Sequence, residues 1–539
     1  SLLQKGAVAG REFDHDLTKR VTNLSEEELL PYLSVLKDSE LLYERGIYPQ
    51  STYVFKHALI QDATYQSLMK STRQKYHQKI AQVLEKSFAD TMESQPELLA
   101  HHYTEAGLNE QAVGYWYQAG KRAAQRSAHV EAINHLTRGL EVLMTLPDTL
   151  ERARQELDMQ TTLGPVLMAV KGQSSPDTER AYVRARELCQ QVGETPQLFP
   201  VLHGLWRFYM VRAEMQTTRE LAEQIFTLAQ RAQDTALLLE ANRMLGQTMY
   251  WLGEMAPARA HLEQGVALYD PQQHRSHAFA YGQDPRVACQ CLATWPTWAL
   301  GYPDQALQSI HEALALAREL THPFSLVFAL MMTAVVHQFH RKAQVVQERA
   351  EELIALSTEQ GFAFWLAWGT ILRGWALTVQ GAGTEGIAQM RQGFSAYGAT
   401  GAEVDRPYLI AMLAEAYREA GQAEEGLAVL IEALAFVDKT GDGYWEAELY
   451  RHKGESLLAI AEENQAEAEA CFQNAIDIAR RQEAKSFELR AVMSLSRLWQ
   501  QQGKPEEARQ MLSDIYGWFT EGFDTMDLKE AKVLLEELV

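Results

Sequence analysis

Cysteine is scarce in this chain: its 539 residues hold four, at positions 189, 289, 291 and 471. So few thiols cannot staple a chain of this size, and a disulfide-built secreted scaffold is excluded. Long apolar runs are missing too. The strongest, FSLVFALMMTAVV over residues 324–336, ends at His337 and falls short of the roughly 20 residues that a bilayer crossing needs. No signal-peptide pattern opens the chain, so a cytoplasmic location is expected. Positive charge is in deficit, with 50 Lys and Arg against 71 Asp and Glu and a formal net charge of −21. That balance argues against nucleic acid and anionic membranes as partners, since clustered cations hold both. A G-x-x-x-x-G-K-[ST] phosphate loop is also absent. The nearest stretch, GYWYQAGKR at 114–122, has the wrong spacing and lacks Ser or Thr after Lys121. No paired carboxylates and no Ser/His/Asp set stand out either, so no enzyme activity, catalytic residue or cofactor is expected of these residues. The expected partner is a protein, a peptide or a small-molecule effector.

What the chain does have is a repeat. EANRMLGQTMYWLGEMAPARAHLEQGVALY (240–269), WGTILRGWALTVQGAGTEGIAQMRQGFSAY (368–397) and YLIAMLAEAYREAGQAEEGLAVLIEALAFV (408–437) carry small residues in the same order. Gly246, Gly253, Ala258 and Gly265 match Gly374, Gly381, Gly386 and Gly393, then Ala414, Gly421, Gly426 and Ala433. A large apolar residue, Leu262, Met390 or Leu430, stands four places after the third of these. Two antiparallel helices approach closely only where their contact residues are small, and a glycine between them suits a tight αα turn. Weaker copies, such as Ala119–Gly120 with Leu136, bring the total to roughly ten units of about 40 residues, longer than the ~34-residue tetratricopeptide consensus that they resemble. Units of this kind bury their apolar faces only by stacking. The predicted fold is an all-α, right-handed solenoid over residues 87–539 with a concave groove and a closing helix at about 520–539.

Residues 1–86 lack the small-residue ladder. Ser25 followed by Glu28 forms a capping-box pattern, and the order that follows, helix, helix, short β-ribbon, helix, is that of a winged-helix module. FKHALIQDATY (55–65) is similar to the segment that closes the winged helix in STAND-type signalling ATPases. In that family the histidine contacts the β-phosphate of bound ADP in the off state. The resemblance therefore implies that His57 is a nucleotide contact in a longer protein. LLQKGAVAGREF, YDPQQHRSHAFAYGQDPRVA and YGWFTEGFDTMDLKEAKVLLEEL extend it. Together they resemble the carboxy-terminal half of bacterial predicted ATPases fused to adenylate or guanylate cyclase domains, or to kinase domains. What this implies is an NTPase domain upstream in cis, ATP or ADP as that domain's cofactor, and oligomerisation on activation.

Two groups of residues are candidates for ligand contact. In tetratricopeptide-like units, positions just after the small residue of the first helix look into the groove. Here they include Phe208, Gln247, Tyr250, Trp295, Trp298, Met332 and Trp375, an aromatic set suited to a peptide or an apolar effector. The alternative is that a tight superhelix buries these rings in its own interior. The second group is the long connection at 269–288, with Arg275, His277, Phe279 and Tyr281; long connections in compact arrays tend to be functional. His337-x-x-His340 and Cys289-x-Cys291 have no converging partners at motif spacing, and no metal is expected. A sensor or docking arm is the leading functional expectation, with a constitutive scaffold as the alternative.

Overall fold

The computed structural model describes residues 1–88, 93–172, 174–193 and 195–538, and the side chains of all of these except 279 and 280. The chain folds as an all-α solenoid with, among the described residues, three short strands near its start, and divides into two compact units. The first comprises residues 1–171 and 175–201, the second 172–174 and 202–539. No helix among the described residues is long and apolar enough to cross a membrane.

The first unit opens with α1 (Leu2–Ala9), β1 (Glu12–Asp14), α2 (His15–Thr22), α3 (Glu26–Asp38), β2 (Leu42–Arg45), β3 (Thr52–Phe55), α4 (Ala58–Gln66) and α5 (Lys70–Ser87). The strands form an antiparallel sheet in the order β1-β3-β2, with Phe13 opposite Tyr53 and Tyr43 opposite Val54. Alternation puts Tyr53, Phe55, Phe13 and Leu42 into one small core with Leu29 and Leu33 of α3. The capping box starts α3 as its sequence pattern requires: Glu28 N donates to Ser25 Oγ at 3.3 Å and Ser25 N donates to Glu28 Oε2 at 2.9 Å. Helical hairpins follow. In one of them a Cβ on Gly120 would lie 2.5 Å from Leu136, the small-against-large pairing read from sequence.

The second unit repeats this pairing along its length. Its hairpins include Thr235–Trp251 with Met255–Leu268, Pro285–Ala299 with Pro303–Glu319, and Pro323–Phe339 with Ala343–Gln360. Ala363–Val379 with Gly383–Ala399, Arg406–Glu419 with Ala423–Thr440, and Glu446–Ile460 with Gln465–Arg481 continue the array. Lys485–Gln501 with Pro505–Tyr516 ends it, and Met526–Glu537 closes the end with Leu528, Ala531 and Leu534 turned inward. A Cβ on Gly246 would stand 2.7 Å from Leu262, and one on Gly374 would stand 2.7 Å from both Met390 and the Gly386 carbonyl. The turn glycines 253, 381 and 421 adopt φ of 79°, 94° and 76°, which only glycine enters at little cost.

Successive turns of this superhelix touch. Glu403 N and Val404 N donate to Val211 O at 2.8 and 3.1 Å, and Gly443 N and Tyr444 N donate to Trp251 O at 2.9 and 3.1 Å. Further on, Ser486 Oγ donates to Trp298 O at 2.6 Å and Arg490 Nη2 to Phe339 O at 2.7 Å. The inner helices that end near Val211, Trp251, Trp298 and Phe339 thus each meet the start of another inner helix one turn along.

The predicted open groove is corrected on this point. Phe208, Tyr250, Trp298 and Trp375 do face inward, but all are at most 3% exposed. Tyr250 packs on Tyr444 and Trp295, with centroids 4.6 and 5.4 Å away. Trp298 lies between Phe339 and Phe487 and carries the Arg490 guanidinium over its ring at 4.7 Å. Trp375 donates its indole N–H to Glu415 at 3.0 Å. Each such ring removes about 150–250 Å² from water, worth roughly 4–6 kcal/mol at about 25 cal/mol/Å², so closing the groove on itself is the favoured arrangement.

The packing gives a direct expectation for the ladder. Gly374→Val places a branched side chain against the backbone of the partner helix, and it should destabilise the second unit by about 1–3 kcal/mol in denaturant unfolding. Gly381→Ala, in open space but at positive φ, should cost about 1 kcal/mol.

Candidate functional site

The superhelix closes over most of its interior but leaves a cavity of about 90 Å³ in the second unit. Its wall is made by residues 203–211 and 243–251 of helices 198–211 and 235–251, residues 292–295 and 328–332 of helices 285–299 and 323–339, and the first turns of helix 363–379. Trp206, Trp251, Trp295, Trp365 and Trp368 supply indole surface, and Met210, Met331, Met332, Phe328 and Phe364 add to the apolar lining. The polar groups on the wall are His203, Arg207, Arg243, Gln247, Tyr281, Gln283 and Asp405.

One side of the wall is held by a buried ion pair. Glu240, fully buried, accepts from Arg243 Nε at 2.8 Å and approaches His277 Nδ1 at 3.0 Å. Burial alone would raise the Glu240 carboxyl, but Arg243 and His277 hold it below its usual value. Arg243 also stands over the Trp206 ring at 5.8 Å. His203 is driven down to about 3 by burial and by the charges of Arg243 and Arg207, so it is neutral near pH 7. Tyr281 packs edge-on to His203 at 5.0 Å and to His277 at 5.3 Å, and burial pushes its phenol up to about 12.

The opposite side is Asp405, which sits at a left-handed φ of 61°. Its Oδ1 accepts from Trp251 Nε1 at 2.9 Å and from Tyr444 O–H at 3.0 Å, and its own N–H donates to Asp442 Oδ2 at 3.2 Å. Burial raises the Asp405 carboxyl to about 6, against the indole and phenol hydrogen bonds that lower it. Asp442 is raised well above its ordinary value by burial and by Asp405.

Of the residues singled out from sequence, Trp295 and Tyr281 line the cavity, as do Gln247 and Met332. His277 stands behind the wall through Glu240, while Arg275 is exposed. The side chain of Phe279 lies outside the described residues. The 269–288 connection is two short helices, Pro271–His274 and His277–Tyr281, fastened where Tyr269 O–H donates to Asp284 at 2.9 Å. His203, Trp206, Arg243, Trp365, Trp368 and Asp405 were not marked by the groove rule, which reads one segment of each inner helix. Arg243 three residues after Glu240, on an apolar helix, was the available signal: such a pair is buried only when it has work to do.

His57 is elsewhere, in the first unit. It is the N-cap of α4, extended at φ −132° and ψ 139°, with no side-chain capping bond and an exposed ring. Cys289 and Cys291 are fully buried with thiols raised by desolvation, which makes them inert. His337 faces His311 at 3.2 Å between ring nitrogens.

No family model matches the chain. It is 25% identical over 501 residues to an uncharacterized protein of Rhizobium meliloti (strain 1021), covering 91% of this chain and 48% of that protein. The chain thus spans about half the length of the curated relative it matches. Among solved structures it is similar to a Rap protein complexed with competence and sporulation factor, at TM-score 0.47 and 11% identity over 75% of this chain and 99% of that one. It is also similar to the STAND protein with a tetratricopeptide repeat sensor from Pyrococcus horikoshii, at TM-score 0.36 and 10% identity over 74% of this chain and 63% of that one.

The Asp405 environment sets a pH dependence. A carboxyl raised from 3.8 to about 6 on folding keeps its proton in the native state while the unfolded chain has lost it. Its stabilising effect is therefore present at low pH and is lost as pH rises from about 4 to 6. Asp405→Asn keeps the acceptor for Trp251 and Tyr444 without the charge. Denaturant unfolding should show the variant more stable than wild type by on the order of 2 kcal/mol at pH 7.5, with the difference vanishing near pH 4.

Proposed function

We propose that the chain is the non-catalytic sensor arm of a signalling NTPase. In this reading residues 87–539 form the repeat array that takes an effector into the cavity, and residues 1–86 form a winged-helix-like module that relays the bound state. The cavity carries the proposal. It lies where inner helices of neighbouring turns converge, so an occupant would contact Val211, Trp251 and Asp405 together with Trp295, Phe328 and Trp365. A ligand that favours one spacing of those turns over another shifts the arm between states by its differential affinity.

The relay is proposed to run through His57, with ADP as the nucleotide that its imidazole contacts in the longer protein. An exposed histidine at the start of α4 is suited to this, because free N–H groups and a partial positive charge collect at a helix N-terminus. The length of the Rhizobium relative leaves room for the further domains that the proposal requires. A cyclase or kinase output and a cytoplasmic site of action belong to the same proposal.

Release of fluorescent ADP from the full-length protein tests the relay. His57→Ala should speed ADP release by tenfold or more, as expected from losing one hydrogen bond to a phosphate, about 1.5–3 kcal/mol. Unchanged ADP retention would remove His57 from the switch.

A further inference from the structure

We propose that the cavity takes a small carboxylic acid with a compact apolar body, its carboxylate oxygens accepting from the indole N–H groups of Trp295 and Trp368. The inference rests on reading the cavity as the effector site and names the class of effector.

Two observations on the wall point to an acceptor-rich occupant. Trp295 is 4% exposed and Trp368 fully buried, both line the cavity, and the Nε1 of each has no hydrogen-bond partner. Buried donors are normally satisfied, and an orphaned one costs free energy that a bound acceptor recovers. By contrast, Trp206 and Trp251 of the same wall donate to Thr248 Oγ1 and Asp405 Oδ1, both at 2.9 Å. The unmet pair is therefore specific to the face made by helices 285–299 and 363–379.

Charge on the wall does not oppose this. Arg207 and Arg243 both line the cavity, and the carboxylate among the lining residues, Asp405, already has Oδ1 engaged by Trp251 and Tyr444. Glu240 is not among the lining residues and is spent on Arg243 and His277. With Arg243 paired to Glu240, the wall carries Arg207 and Asp405 with opposite charges, and it lacks the electronegative excess that an aromatic cage for ammonium needs. The apolar remainder of the wall, with Phe328, Met331, Met332 and Trp365, fits a short branched chain. An apolar cavity of about 150 Å³ admits benzene, so this smaller space of about 90 Å³ takes a short branched chain rather than a ring. Arg207, Tyr281 and Gln283 are only half-buried, and the cavity opens on their side.

Isothermal titration of the 539-residue chain with isobutyrate, isobutanol and isobutylamine tests the inference. These probes share one branched chain and differ in the charge and hydrogen bonding of the head group. Isobutyrate should bind at least tenfold more tightly than either of the others, and Trp368→Phe should weaken isobutyrate about fivefold or more while leaving isobutanol unchanged. Tryptophan fluorescence and circular dichroism check that the variant is folded. Should it not fold, the wild-type selectivity order decides alone. Saturable binding that favours isobutanol or isobutylamine overturns the acid while leaving the cavity as an effector site. No saturable binding of any of the three overturns the cavity reading as well.

Discussion

An α-helix leaves its last carbonyls without partners inside the helix, and in the second unit the inner helices find those partners on the next turn of the superhelix. Val211 and Trp251 are the last residues of their helices, and the carbonyl of each accepts two backbone N–H groups from the chain leading into the helix one turn along. Trp298 and Phe339, at the ends of two further inner helices, are met by Ser486 and Arg490. This recurring junction, end of one inner helix to start of another, fixes the spacing of the turns. With that spacing fixed, the inward aromatics become core residues.

The cavity is a consequence of the same spacing. Between the junctions at Val211 and Trp251, the indoles of 206, 251, 295, 365 and 368 surround a space that the next turn does not fill. Asp405 belongs to both features, since it opens the helix that follows the Val211 junction and ties Trp251 to Tyr444. Local strain at its positive φ and the burial of a carboxyl beside Asp442 are both unfavourable. Three hydrogen bonds compensate there, and the result is a wall element that both joins two turns and faces the void.

The ladder of glycines and its bulky counterparts was legible in sequence because it is a local, repeated contact between two helices joined by a short turn. Gly246 with Leu262, Gly374 with Met390 and Gly120 with Leu136 needed only a period and a side-chain size. The capping box at Ser25 was local as well. β1 was not legible, since three residues, Glu12 to Asp14, pair with a strand some forty residues on and carry no alternation long enough to notice. Nor was the closure of the groove. It depends on the pitch of the superhelix, which sums small rotations over several hairpins, and on contacts such as Trp251 with Asp405 that no period in the sequence marks. The groove rule therefore found Trp295 and Gln247 by facing inward, and could not separate them from Trp298 and Trp375, which face inward too but are covered.

Native-state hydrogen exchange at the amides of Glu403, Val404, Gly443 and Tyr444 tests most directly whether neighbouring turns are fastened together. All four precede regular helix, where no intrahelical acceptor exists for them. If they donate to Val211 and Trp251, they exchange as slowly as amides in the middle of helix 406–419. Exchange at the rate of open loop amides would mean that the turns stand apart, and with them the cavity would be lost.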